Sequence, residues 1–169
     1  MNGLYVGISA AIFGGELLIK NHVEKTIPAG ETREVPGGRI LIRKYHNEGA
    51  CLDVGSGHRE AVTACSVVLT AALGAAFGIT LTGKGNGWLK TGLSLLLGGA
   101  CSNTFDRLRR KYVVDYFSFS VKWPPLRRVV FNLADFCILT GALMVAMAGE
   151  GDGSGGTGVP ESSGSEPGT

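Results

Sequence analysis

Two carboxylates stand where apolar sequence would not be expected to hold them. In "YVVDYFSFSVKWPPLRRVVFNLADF" (Tyr112 to Phe136), Asp115 and Asp135 sit at the edges of strongly hydrophobic runs. A carboxylate in an apolar span costs several kcal/mol unless it faces a cavity or a partner, so each is a functional candidate. Asp135 reads as lying about two helical turns inside such a span, with the Asn132 amide at i, i+3 on the same face. Upstream, "GGACSNTFDRL" puts Asn103, Asp106 and Arg107 at i, i+3 and i+4, with Gly99 one turn earlier. Taken alone, Asp106 and Arg107 read equally as a helix-end ion pair with Arg107 reaching the headgroups, and Asp115 as an ordinary loop residue. Two aspartates brought together in a partly desolvated site share a proton. One activates water as a general base and the other, protonated, polarises a carbonyl, which hydrolyses a peptide bond without metal or covalent intermediate.

The elements that position these residues are written in the hydropathy. The chain has 169 residues, of which 18% are charged, and its mean hydropathy is positive. Apolar runs at about Leu4 to Ile19, Ala61 to Leu81, Trp88 to Thr104 and Val129 to Ala148 predict an all-α membrane protein with four transmembrane helices. The second run has Gly74 and Gly78 at the spacing that lets helices approach closely. The first lacks a basic leader and a small-residue cleavage site, so it is expected to stay as an anchor.

The polar segment at about 21–60 contains "TREVPGGRILIRKY", β-branched residues around a Pro-Gly-Gly turn signal, and predicts a hairpin. "TGKGNGWLK" lacks a GKS or GKT ending and reads as a tight turn between antiparallel helices. Leu108 to Arg128 reads as an interfacial loop, with Tyr112, Tyr116, Phe119 and Trp123 suited to the water–lipid boundary and Pro124-Pro125 setting an extended approach to the last helix. Residues 149–169, rich in Gly, Ser and acidic groups, read as a disordered tail after a domain at 1–148. Cys51, Cys65, Cys101 and Cys137 read as packing residues, and His22, His46 and His58 as solvated residues of the polar loop. The segments Lys20 to Arg59 and Arg107 to Arg128 hold fourteen of the sixteen Lys and Arg residues, and on charge alone those loops would be cytoplasmic.

At these residues the chain resembles the lipoprotein signal peptidase (signal peptidase II) family. "GGACSNTFDRLRRKYVVDYF" is similar to its G-x-x-x-N-x-x-D-R-x-x-x-G-x-V-x-D-F pattern through Gly99, Asn103, Asp106, Arg107, Val113 or Val114, and Asp115, with Lys111 or Tyr112 where a glycine is usual. "FNLADF" resembles the F-N-x-A-D motif through Phe131, Asn132, Ala134 and Asp135, and "NEGA" the N-x-G-A motif through Asn47, Gly49 and Ala50. The first span departs: "ELLIK" stands for D-Q-x-x-K, with Glu16 for the aspartate, Leu17 for the glutamine and Lys20 retained.

The resemblance implies a four-span aspartic endopeptidase of the bacterial inner membrane with an extracytoplasmic β-hairpin cradle. Asp115 and Asp135 would be its catalytic dyad near the extracytoplasmic face. Asn103, Arg107 and Asn132 would support the dyad and bind substrate, Asn47 and Asp106 would order the nearby loop and helix end, and Glu16 and Lys20 would complete the set. The substrates implied are prolipoproteins cut just before a diacylglyceryl-modified cysteine. Phospholipids would be further partners, with no nucleic acid, cofactor or metal, and the protein would act as a monomer. It also implies external long loops, against the charge count, which basic groups binding anionic headgroups would reconcile. The competing readings are a divergent, non-catalytic lipopeptide binder, a small proton-linked transporter using the two aspartates as a relay, and a structural tetraspan subunit. The chain has no second copy of either aspartate motif, as a repeat-built transporter would.

Overall fold

A computed structural model describes residues 2–49, 56–123, 126–127 and 129–151. Among the described residues, four long helices form the body: α1 (Asn2–Thr26), α2 (Arg59–Thr82), α3 (Gly87–Arg110) and α4 (Leu133–Gly151). Three strands, β1 (Thr32–Glu34), β2 (Ile40–Asn47) and β3 (Val113–Phe119), make an antiparallel sheet in the order β1-β2-β3. The described part of the 21–60 segment also holds a 3-10 turn at Ser56–His58.

Burial is inverted relative to a water-soluble bundle. Glu16, Lys20, Ser94, Asp106 and Asn132 are buried, while Leu4, Leu18, Val68, Leu69, Ile79 and Leu139 are exposed. An outward apolar surface around a polar interior suits a lipid surround, where polar groups must find partners inside the protein. The 18-residue windows of α1 and α2 reach mean hydropathies of 1.4 and 2.0, enough to cross a membrane, and α4 is a shorter apolar helix. α3 is as long as α2 but carries the polar stripe.

α3 is central because small residues admit its neighbours. A Cβ on Gly99 would lie 2.7 Å from the Ala134 carbonyl oxygen, and one on Gly141 2.5 Å from that of Gly92. The Gly74/Gly78 pair does not serve this purpose, since a Cβ at Gly78 would meet nothing within 4 Å and one at Gly74 only Leu97 at 3.9 Å. Between α2 and α3 the expected tight turn is present. Asn86, at φ 45°, accepts the Leu89 N–H at 3.0 Å, and the Lys90 ammonium donates to the Gly83 carbonyl at 2.7 Å.

The hairpin forms as the sequence predicts. The Gly38 N–H donates to the Val35 carbonyl at 3.0 Å across Pro36 and Gly37, with Gly37 at φ 102°, as a type II turn requires at its third position. The expected interfacial loop, however, contains β3. "VVDYFSF" is β-branched and aromatic, and it pairs with the free side of β2, Tyr45 opposite Asp115 and Asn47 opposite Val113. Tyr116 is therefore buried with Val23, Ile27 and Val114, whereas Trp123 is exposed.

The last helix starts later than the apolar run suggests. Phe131 is held extended by a bridge to Phe117, donating to its carbonyl at 2.7 Å and accepting its N–H at 3.0 Å. Helix α4 begins only after Asn132, which places Asp135 in the first turn rather than two turns inside. At its other end α4 continues through Gly149–Gly151, so the expected tail does not begin at 149. Residues 152–169, Ala50, Cys51 and the Pro124-Pro125 pair lie outside the described residues. The histidines are spread over three elements: His22 is on α1, His58 ends the 3-10 turn, and His46 on β2 bonds Glu24 at 2.7 Å and stacks on Tyr112 at 3.9 Å.

Candidate active site

Asp115 and Asp135 reach one place from two elements. The pleat of β3 sends Asp115 and Tyr116 to opposite faces. Asp135 is held by the start of α4: Asn132 accepts the Asp135 N–H through Oδ1 at 3.0 Å, and the Asp135 carboxylate accepts the Asn132 N–H at 3.0 Å. This reciprocal capping box is closed by Phe131 packing on Phe136, ring centroids 5.7 Å apart, in the position of a hydrophobic staple. Asp135 thus occupies the first turn of a helix, where the aligned peptide dipoles stabilise negative charge.

The same Asn132 ties the two carboxylates together. Its amide donates to Asp115 at 2.7 Å and to the Asn103 side-chain oxygen at 3.2 Å, while the Asn103 amide donates to Asp135 at 3.0 Å. The other Asp115 oxygen accepts from the Asn47 amide at 3.0 Å. Asp115 is only 2% exposed. Its carboxyl is pushed up to about 7, first by burial and then by the negative charge of Asp135, with Asn47, Asn132 and Lys20 acting in the opposite sense.

Both aspartates line a cavity of about 550 Å³ whose walls are otherwise mostly apolar. Ser66, Leu69, Thr70 and Leu73 of α2 form one side and Phe136, Ile138 and Leu139 of α4 the other. Arg107 also lines it, donating to the Gly49 carbonyl at 2.9 Å. Such a pocket can receive an extended peptide flanked by hydrocarbon and present its carbonyl to two coupled carboxyls.

A family model described as "Signal peptidase (SPase) II" matches residues 8–149. The chain belongs to this family. Its relatives include lipoprotein signal peptidases from Lactobacillus johnsonii, 29% identical over 84% of this chain and 88% of the relative, and from Paraburkholderia phytofirmans, 33% identical over 85% and 82%. Among solved structures, a bacterial membrane enzyme determined by the in meso method at 2.3 Å is similar in fold, with a TM-score of 0.77, 22% identity and 95% of each chain covered.

Of the site residues expected for a signal peptidase II, Asn47, Asn103, Asn132, Asp115 and Asp135 form one hydrogen-bonded group. Lys20 joins them by donating to the Asn103 side-chain oxygen at 2.8 Å and to Ser102 at 2.9 Å. Asp106 and Arg107 do not pair with each other. Asp106 lies 3.1 Å from the Lys20 ammonium and 2.9 Å from Arg110, because its side chain turns toward α1 while Arg107 turns toward the cavity. Asp106 also accepts the Val114 N–H at 3.3 Å and so fastens the end of α3 to β3.

Glu16, the departure from the family pattern, lies 3.3 Å from Lys20 and accepts the Tyr116 hydroxyl at 2.6 Å. Burial, then the Glu16 bond, push the Tyr116 phenol up, so it remains a donor. Tyr116 and the capping box were not anticipated. The box was readable as N-x-x-D flanked by Phe131 and Phe136, but the role of Tyr116 depends on a residue a hundred positions away.

The glycine missing from the family pattern also finds its place. Lys111 caps α3 at φ 71°, in the left-handed region that favours glycine, and its N–H donates to the Arg107 carbonyl at 3.2 Å.

Proposed function

We propose that the chain is an aspartic endopeptidase that removes signal peptides from diacylglyceryl-modified prolipoproteins, cutting just before the lipidated cysteine. The observation that carries this reading is the Asn132-bridged pair of carboxyls opening on one apolar cavity. At neutral pH Asp115 holds the shared proton, as its raised carboxyl favours, and Asp135 at the helix start is the base. Asp135 takes a proton from water as the water oxygen bonds to the scissile carbonyl carbon, and Asp115 gives its proton to the carbonyl oxygen. The resulting tetrahedral diol collapses: the C–N bond breaks, the leaving amine takes the proton from Asp135, and a diol hydroxyl gives its proton to Asp115 as the new carbonyl forms, so the pair is again singly protonated. Arg107, beside both carboxyls, would bind a substrate oxygen.

α1 to α4 each cross the bacterial inner membrane, with the sheet lying on the extracytoplasmic side as a cradle and the dyad near that face. The apolar cavity walls supply the lipid-compatible surface this requires, and anionic headgroups would meet the basic outer loops. The reading is tested by cleavage of a diacylglyceryl-modified prolipopeptide by the detergent-purified protein, beside Asp115→Asn and Asp135→Asn. Cleavage before the lipidated cysteine, lost in both variants at equal thermal stability, is expected. Turnover surviving in either variant would show that the pair does not do the chemistry.

A further inference from the structure

We infer that Tyr116 is a positioning residue of the active centre, its hydroxyl joining the first peptide of α4 to the Glu16 carboxylate of α1. The inference rests on Asp115 and Asp135 being the reacting pair. Tyr116 follows Asp115 directly on β3 and points to the opposite face. Its hydroxyl donates to Glu16 at 2.6 Å and accepts the Leu133 N–H at 3.0 Å. Leu133 is the first residue of α4, two before Asp135, and its N–H is one that the helix itself leaves unpaired. The hydroxyl thus closes a short loop of structure whose two ends are the reacting carboxyls. Main-chain bonds already clamp this region, Tyr116 and Phe117 donating to the Phe131 carbonyl at 2.9 and 3.0 Å. Those bonds fix where the chain enters the helix. The hydroxyl bond fixes the helix start itself.

The carboxylate matters as much as the phenol. Glu16 is fully buried and its other oxygen lies 3.3 Å from the Lys20 ammonium. Hydrogen bonding to an anion polarises the phenol oxygen and strengthens it as an acceptor for the Leu133 N–H. A side chain one methylene shorter at position 16 would keep the charge and lose the reach, while phenylalanine at 116 would keep the ring and lose both bonds. The two residues therefore act as a single unit, and neither touches the cavity.

The test is a double-mutant cycle of Tyr116→Phe, Glu16→Asp and the combination, assayed on a diacylglyceryl-modified prolipopeptide, with Asp115→Asn as the inactive control. Each single variant is expected to lower kcat on the order of tenfold with KM changed less than about twofold, the size of one buried bond acting on orientation. The double variant is expected to match the worse single rather than fall about a hundredfold, since each change removes the same link. A folded Tyr116→Phe enzyme with wild-type kcat, a loss confined to KM, or multiplicative effects would each overturn the assignment. Should Tyr116→Phe not fold, Glu16→Asp alone decides in the same way through its kcat. Turnover persisting in Asp115→Asn would instead count against the dyad, which separates the two failures.

Discussion

Replacing Asn47 by alanine isolates one contribution to the Asp115 carboxyl. The Asn47 amide donates to Asp115 at 3.0 Å and favours its ionised form, whereas burial and Asp135 push the group up to about 7. A hydrogen bond to a charged acceptor contributes roughly 1.5 kcal/mol at the lower end of its range, which is about one pH unit. Its loss destabilises the carboxylate, so the Asp115 carboxyl rises further. In the proposed mechanism the neutral form of Asp115 is the acid. Turnover therefore falls as pH climbs through the apparent value of the pair, and in Asn47→Ala that alkaline limb moves to higher pH by about one unit. The maximum kcat also falls, because Asn47 accepts the Gly49 N–H at 3.0 Å and so steadies the carbonyl that holds Arg107. The assay is kcat against pH from about 5 to 9 on a diacylglyceryl-modified prolipopeptide at saturating substrate. An alkaline limb that stays in place, or moves down, would falsify the assignment of Asp115 as the group holding the proton.

Other consequences follow from the same contacts. Asp115 has a folded value raised from 3.8 to about 7, so its contribution to stability is complete below pH 4 and is lost as pH rises toward 7, at most ~4 kcal/mol at ~1.4 per unit. In Asp115→Asn, thermal unfolding in detergent should lose that part of its pH dependence. Lys20→Met removes the cation between buried Glu16 and Asp106 and should destabilise the fold by roughly 3–5 kcal/mol, seen as a lower melting temperature. Gly99→Ala places a methyl 2.7 Å from the Ala134 carbonyl oxygen and should cost about 1–3 kcal/mol while lowering kcat, since Ala134 adjoins Asp135. Lys111→Gly relieves a left-handed residue and should raise stability by about 1 kcal/mol without changing turnover.

Much of this architecture was legible because local chemistry dictates it. Pro36 and Gly37 announce the hairpin turn, and the spacing of Asn103 to Asp106 and Arg107 announces a polar helix edge. What escaped depended on partners distant in sequence. β3 is a strand because β2, some seventy residues earlier, offers it an unpaired edge. The start of α4 is delayed because Phe131 is claimed by Phe117, which periodicity along an apolar run does not reveal. Asp106 chose Lys20 and Arg110 over its neighbour Arg107 because sequence adjacency on a helix turns the two side chains apart. In the candidate site, residue identity pointed to the two carboxyls, but not to Asn132 as the bridge between them or to Tyr116 behind them.

The ties around the two carboxyls run through α1, α3, α4, β2 and β3, yet Ser66, Leu69, Thr70 and Leu73 of the cavity wall belong to α2. That helix packs chiefly on α3, with Thr70 bonded to Thr104 at 2.8 Å. The protein is thus divided into a fixed anvil and a replaceable jaw. On the proposed mechanism, changes of side-chain size along that jaw would tune which signal sequences are gripped while leaving the two carboxyls where they were.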